Sequence, residues 1–368
     1  MSLYKAVISP ILDRLDSETW HVRARDALHI AEMSPITLKI TELIAFGGKR
    51  LIDKRLESTI AGIHFENPLL VGAGWDKAGK SVQGLHALGF AGVEIPALLK
   101  PQPGNPKPRQ FVIGSGVVLQ SLGFNTPGAY AIKKNLSRYK KSGIPIGIGL
   151  AKNKEVPDED APKAYADVAK ILYEDATYFV INVSSPNTPG LKRLQGKKPL
   201  TLIIQAVIKA LEEKGGRKPL FVKIAPELTH SEMDDIIDVV LQYKLTGIIA
   251  VNTWANPELK AKYGEKWRNQ PGGVSGDDNE YRKLATDQVR YIYKKTKGKI
   301  IIVGVGAITD TKSALERIKA GASLLQIVAG IRGEGPSIAA TINRGLLDYM
   351  QKHNVKHIQD LVGMEHKK

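Results

Sequence analysis

Between Ile181 and Leu191 the chain reads INVSSPNTPGL, an apolar run that passes at once into two serines, two asparagines, a threonine and two prolines. Amides and hydroxyls collected on one loop can hydrogen-bond a polar ligand. Three other places carry groups of comparable interest. Lys77 stands in VGAGWDKAG, Asn252 and Thr253 follow the run GIIAV, and Lys223 lies inside the apolar run PLFVKIAP. Desolvating an ammonium is costly, so Lys223 needs an anionic partner. A structural salt bridge would serve, but no acid is read in the matching strand ends, which favours a ligand anion. The turns GVGAITD and AGIRGEGP are glycine-rich. Such turns suit phosphate binding through backbone N–H groups, and tight turning alone also explains them.

The elements that must position these groups are eight short apolar runs rich in valine and isoleucine: PLLVGAG (68–74), GFAGVEIP (89–96), IPIGIGL (144–150), YFVINVS (178–184), PLFVKIA (219–225), GIIAVN (247–252), KIIIVGVG (299–306) and LLQIVAG (324–330). Helical segments separate them. Continuous apolar strands alternating with helices imply a parallel sheet buried on both faces, and eight such units predict a (β/α)8 TIM barrel. An open doubly wound sheet is the alternative. It would want a full dinucleotide signature, yet GAGWDK has Lys77 and GVGAIT has Thr309 where the third glycine belongs. In a barrel, the polar residues at the carboxyl ends of the strands converge on one active face.

Residues 1–55 read differently, as short amphipathic helices placed ahead of a barrel domain at 56–368. SLYKAVISPILDRL sets Leu3, Tyr4, Val7, Ile8, Ile11, Leu12 and Leu15 near one face, with Pro10 kinking or dividing the segment. A second helix runs through SETWHVRARDALHIAE, and a third begins at Ser34-Pro35. This region is a helical cap on the barrel or a surface that dips into a membrane interface.

The chain has 368 residues, a formal net charge of +16 and no cysteine. Absence of cysteine excludes disulfides, thiolate metal sites and cysteine-based catalysis. The basic residues are dispersed and not interleaved with aromatics, so nucleic acid is not an expected partner; an anionic membrane face or anionic small molecules fit better. No apolar run approaches the ~20 residues of a membrane-spanning helix, and no secretory signal is read at the start. His353 and His357 stand four apart without a third ligand nearby, so no metal site is expected.

VGAGWDKAG, PQPGNPKPR, INVSSPNTPGL, VKIAPEL, GGVSG, IIVGVGAI and GASLLQI together resemble dihydroorotate dehydrogenases of the quinone-linked, membrane-associated class, over nearly the whole chain. The resemblance implies an FMN enzyme that oxidises dihydroorotate to orotate in pyrimidine synthesis, passing hydride to the flavin and electrons on to a quinone. In that class the base is a serine where soluble classes use cysteine, in agreement with a cysteine-free chain. The match makes Ser185 the base, with Pro186 and Pro189 fixing its loop, Ser184 shaping the turn and Thr188 available to a proton relay. It assigns Lys77, Gln120, Gly123, Phe124, Asn125, Asn182, Asn187, Asn252 and Thr253 to the substrate. To FMN it assigns Ala73, Gly74, Lys77, Asn182, Lys223, Val251, Gly276, Gly306, Val328, Ala329 and Gly330, with Lys223 beside flavin N1. His21 falls where the class places a quinone-site histidine. A monomer held peripherally on the cytoplasmic face of the cell membrane is the implied setting.

The chain departs from the family pattern at several positions. Pro96-Ala97 replace a glycine-threonine pair, Gly149 replaces an asparagine, and Val328-Ala329 replace a hydroxyl-bearing pair. Gln120 stands for an asparagine, and Val112 for an arginine of the quinone site. Two alternatives stay open: another FMN barrel oxidoreductase with a different acceptor, and a catalytically reduced flavin-binding paralogue.

Overall fold

The computed structural model describes residues 4–12, 14–188 and 190–367, so Leu3 and Pro189 lie outside the described residues. Eight strands close into a parallel barrel: β1 (Leu69–Val71), β2 (Gly92–Ala97), β3 (Ile146–Leu150), β4 (Tyr178–Asn182), β5 (Leu220–Ile224), β6 (Gly247–Ala250), β7 (Ile301–Val305) and β8 (Leu324–Ile327). Each pairs with the next in sequence and β8 pairs with β1, which is the predicted (β/α)8 arrangement.

The two-residue period of a strand sorts each apolar run into an inner and an outer set. Phe179 and Ile181 of β4, with Val222 and Ile224 of β5, face the surrounding helices. Tyr178, Val180, Phe221, Ile249, Val303 and Leu324 fill the barrel interior, and Ile60 and Phe65 of the hairpin formed by Ser58–Ile60 and Ile63–Phe65 join that inner cluster. Continuing the same period toward the carboxyl ends puts Glu94, Asn182, Lys223 and Gln326 in the uppermost inner layer. That layer is polar where those below it are apolar.

At the other end of the chain's first part, helix α1 (Ser17–Ala31) is capped by Asp16, whose carboxylate accepts from Thr19 N at 2.8 Å. Helix α2 (Pro35–Phe46) starts with Ser34 as cap and proline in the first turn, as predicted, and stops at Gly47 with φ 64°. Pro10 sits inside the single-turn helix Ser9–Leu12, which follows a π-turn at Tyr4–Ile8. Among the described residues, no helix is long and apolar enough to cross a membrane. These first helices nonetheless expose Ile30, Met33, Ile36, Ile40, Leu43 and Ile44, Met33 at 76% and Ile36 at 72%.

A second sheet links the two regions. Strands Gln110–Gly114 and Val117–Gln120 form a hairpin that pairs with Gly273–Gly276. From its first strand Gln110 donates to Ser17 Oγ at 2.7 Å, and next to it Arg109 pairs with the buried Glu18 carboxylate at 2.7 Å.

Candidate active site

Two cavities open at the carboxyl face of the barrel and share a wall made by Ala73, Gly74, Gln120, Leu122, Lys223 and Asn252. The smaller, about 80 Å³, is walled by amides, Lys77 and Ser185. The larger, about 750 Å³, runs from the turns after β7 and β8 to α1 and α2, where Ala24, Ala27, Leu28 and Ile44 make it apolar.

The small cavity is built by the loop after β4. Asn182 ends that strand in register with Lys223 of β5. Its carbonyl oxygen Oδ1 accepts from Ser184 N at 3.3 Å and Ser184 Oγ at 2.9 Å, while Asn252 Nδ2 donates to Ser184 Oγ at 3.0 Å. Ser184 is therefore fully buried as a brace between two strand ends. Ser185 turns the other way and lines the cavity; its Oγ accepts from Asn187 N at 3.2 Å. Asn187 Nδ2 donates to Gln120 Oε1 at 3.1 Å, so the longer amide at position 120 orients Asn187 as well as facing the cavity. From the proline-rich loop after β2, Gln102 Nε2 donates to Gly123 O at 2.9 Å and Asn105 Nδ2 to Ser121 O at 2.6 Å. These bonds hold the turn Gly123-Phe124-Asn125, in which Phe124 has φ 52°.

Lys77 is carried by a loop wound about the buried Asp76, whose carboxylate accepts from the N–H groups of Ala78, Gly79, Lys80 and Ser81 at 2.7–3.0 Å. Burial lowers the Lys77 ammonium to about 8, with Arg25 and Arg109 pushing the same way against the opposing pull of Glu18. His21 reaches the larger cavity from α1 and donates from Nε2 to the Trp75 carbonyl at 2.6 Å. Its imidazole is driven down to about 3 by burial first and by the Lys77 charge second, so it is neutral across the physiological range.

Of the residues singled out for the substrate, Lys77, Gln120, Gly123, Phe124, Asn125, Asn182, Asn187 and Asn252 line the small cavity with Ser185, whereas Thr253 faces the large one. Of those singled out for the flavin, Ala73, Gly74, Lys223, Val251, Gly276, Gly306, Val328, Ala329 and Gly330 line the large cavity; Lys77 and Asn182 line only the small one.

The expectation that Lys223 has no acid near it is overturned. Glu94 of β2 is 0% exposed and its Oε1 lies 3.6 Å from Lys223 Nζ. The glycines also have a packing reason: a Cβ at Gly276 would meet Gly116 O at 2.0 Å, and one at Gly330 would meet Ile308 O at 2.7 Å. Trp267 packs on Phe111 with ring centroids 5.1 Å apart, and Trp254 bridges by backbone to Val274, so both serve packing. His353 stacks on Tyr349, and the described residues contain no cluster able to hold a metal ion.

A flavin, the group the sequence resemblance implies, fits these cavities. Buried Asn125 Oδ1, Asn187 Oδ1 and Thr253 Oγ1 have no partner within the protein, a costly arrangement unless a ligand supplies one. Gly74 has φ 109° and open space where a Cβ would stand, at the shared wall of the two cavities. Glu94, Gln326 and Arg332, which also belong to this region, carried no sequence signal, since each stands alone among apolar or glycine neighbours.

The family model of dihydroorotate dehydrogenase matches residues 55–350. The dihydroorotate dehydrogenase (quinone) of Synechococcus sp. strain JA-3-3Ab is 39% identical over 358 residues, covering 94% of this chain and 93% of the relative. That of Nostoc sp. strain PCC 7120 is 37% identical over 382 residues and covers 100% of both. The crystal structure of the Eimeria tenella enzyme in complex with ferulenol is similar with a TM-score of 0.86 at 29% identity, covering 96% of each chain. A shared barrel, a shared extent and this level of identity over nearly the full length mean that the chain belongs to the dihydroorotate dehydrogenase family.

Proposed function

We propose that this chain oxidises (S)-dihydroorotate to orotate, using FMN as its flavin and a quinone as the final electron acceptor. The observation that carries this reading is the position of Ser185: its hydroxyl lines a small amide-walled cavity that shares Gly74, Lys223 and Asn252 with the larger one. When bound, FMN supplies a two-electron acceptor for the hydride leaving C6. The protein's part is to hold the pyrimidine and take the C5 proton. Ser185 Oγ takes that proton as its own hydroxyl proton passes on, and the Asn187 N–H already directed at this oxygen stabilises the partial negative charge it carries as its own proton leaves. Thr188, three residues on and buried with its hydroxyl unpartnered, is the group we assign to carry the proton onward. Lys77 pairs with the substrate carboxylate, while Asn125, Asn182, Asn187 and Asn252 engage its amide edges. Lys223 sets a fixed positive charge beside the flavin ring, and the turns at Gly306 and Ala329-Gly330 offer backbone N–H groups to the phosphate.

His21 and the apolar walls of the large cavity guide the quinone. The exposed isoleucines of the first helices lie on the membrane surface from which the quinone enters, at its cytoplasmic face, and the protein acts as a monomer. The deciding experiment is the visible spectrum of the purified protein before and after anaerobic dihydroorotate. A yellow protein that bleaches supports the reading. A yellow protein that does not bleach points to a different substrate, and a colourless one that takes up no FMN to a flavin-free paralogue.

A further inference from the structure

The top inner layer of the barrel holds a closed set of three side chains from three strands that are not neighbours in the sheet. Glu94 comes from β2, Lys223 from β5 and Gln326 from β8. Gln326 Nε2 donates to Glu94 Oε2 at 2.5 Å, Lys223 Nζ donates to Gln326 Oε1 at 3.4 Å, and Glu94 Oε1 faces Lys223 Nζ at 3.6 Å with no hydrogen-bond donor of its own. All three are buried, with Glu94 at 0% and Lys223 at 4% exposure. Lys223 and Gln326 reach the large cavity, whereas Glu94 lines neither cavity. Taking an ammonium out of water is costly, and a carboxylate beside it offsets that cost. The other titratable groups facing this layer do not supply one. Tyr178 of β4 is kept protonated by burial, and Lys77 on the loop after β1 is a cation. Gly149 of β3 leaves Glu94 Oε1 uncrowded, a Cβ there standing 3.3 Å away.

We propose that Glu94 is a positioning residue that holds the Lys223 side chain aimed into the cavity, and so sets the reduction potential of the flavin beside it. This rests on the flavin reading above. Removing the carboxylate takes away the group that faces Nζ from across the barrel, so the positive charge is no longer held where it favours the reduced, anionic form of the flavin.

The test is the flavin midpoint potential of the FMN-loaded wild-type protein and of Glu94→Gln, measured by reductive titration against a reference dye from about pH 6 to about pH 9. The expected result is a lower potential in E94Q across this range, with the reduced-to-oxidised ratio at a fixed reference potential down by on the order of 100-fold. FMN affinity should change little by comparison. A potential equal to that of the wild type, or raised at every pH, overturns the proposal, the second because it would show the carboxylate merely offsetting a charge that persists without it. Should E94Q fail to fold, Glu94→Asp carries the test: the charge is kept but drawn back from Lys223, so a smaller fall of the same sign is expected and identity with the wild type overturns it. Because the potential is titrated chemically, the outcome is separate from whether dihydroorotate reduces the flavin.

Discussion

The two cavities at the barrel mouth are made in opposite ways. Around Ser185 the polar side chains brace one another: Asn182 bonds Ser184, Ser184 bonds Asn252, and Asn187 bonds Gln120. Toward α1 and α2 the walls are aliphatic, and the polar exceptions are few. The first design fixes angles for a proton and a hydride leaving adjacent carbons, where a small misplacement is costly. The second asks only for a dry passage wide enough for an apolar acceptor, and side chains there can be exchanged more freely.

That contrast breaks most sharply at Ser185. Ser185→Ala should slow anaerobic flavin reduction by dihydroorotate by roughly 10²–10⁴-fold while FMN stays bound and pre-reduced flavin is reoxidised by quinone as before; Ser185→Cys should keep some turnover. Stopped-flow absorbance separates the half-reactions, and a wild-type reduction rate in the alanine variant would remove Ser185 from the role of base. Asn187→Ala should cost on the order of 100-fold in the same half-reaction, since it frees Gln120 and removes a wall amide together.

The opposite edge of the comparison is probed with Ile36→Glu/Ile40→Glu. Affinity for anionic vesicles should fall by at least about tenfold, with dihydroorotate-driven flavin reduction untouched. A change confined to the reductive half-reaction would mean that the two cavities are not separate in function. The pH profile sharpens it further. Below about pH 8 Lys77 carries the charge that the proposed pairing with an anionic substrate requires; above it the charge is lost. The KM for dihydroorotate should therefore rise about fivefold over the first pH unit beyond that point, and Lys77→Met should flatten the rise. Smallest of all, His21→Phe should alter quinone turnover within roughly threefold at neutral pH. An imidazole lowered to about 3 has no charge to lose there, so no inflection near pH 6.5 is expected in the wild-type acceptor profile.

The barrel was legible because valine and isoleucine runs recur at regular intervals, and the loop after β4 because its polar residues are contiguous in sequence. Glu94 was hidden for the converse reason. It sits in GVEIP as one acid among apolar residues, and its partner Lys223 belongs to a strand three places further round the barrel. Only closure of the sheet brings them to 3.6 Å. The division of residues between the two cavities was equally invisible: Asn252 and Thr253 are adjacent in sequence, yet Asn252 belongs to the shared wall and Thr253 only to the larger side. Neighbouring side chains at a strand end diverge, and spacing alone does not say which way each turns.

The hairpin from Gln110 to Gln120 has a bearing on how such proteins can be recombined. One of its strands is fastened to the first helices through Gln110, with Arg109 just ahead of it, and the other ends at the amide that orients Asn187. A chimera that imported foreign helices onto this barrel would strand the Arg109 guanidinium in a dry interface, at a cost of about 3–5 kcal/mol. The transplantable unit is thus helices plus hairpin, a module that crosses the apparent seam between cap and barrel.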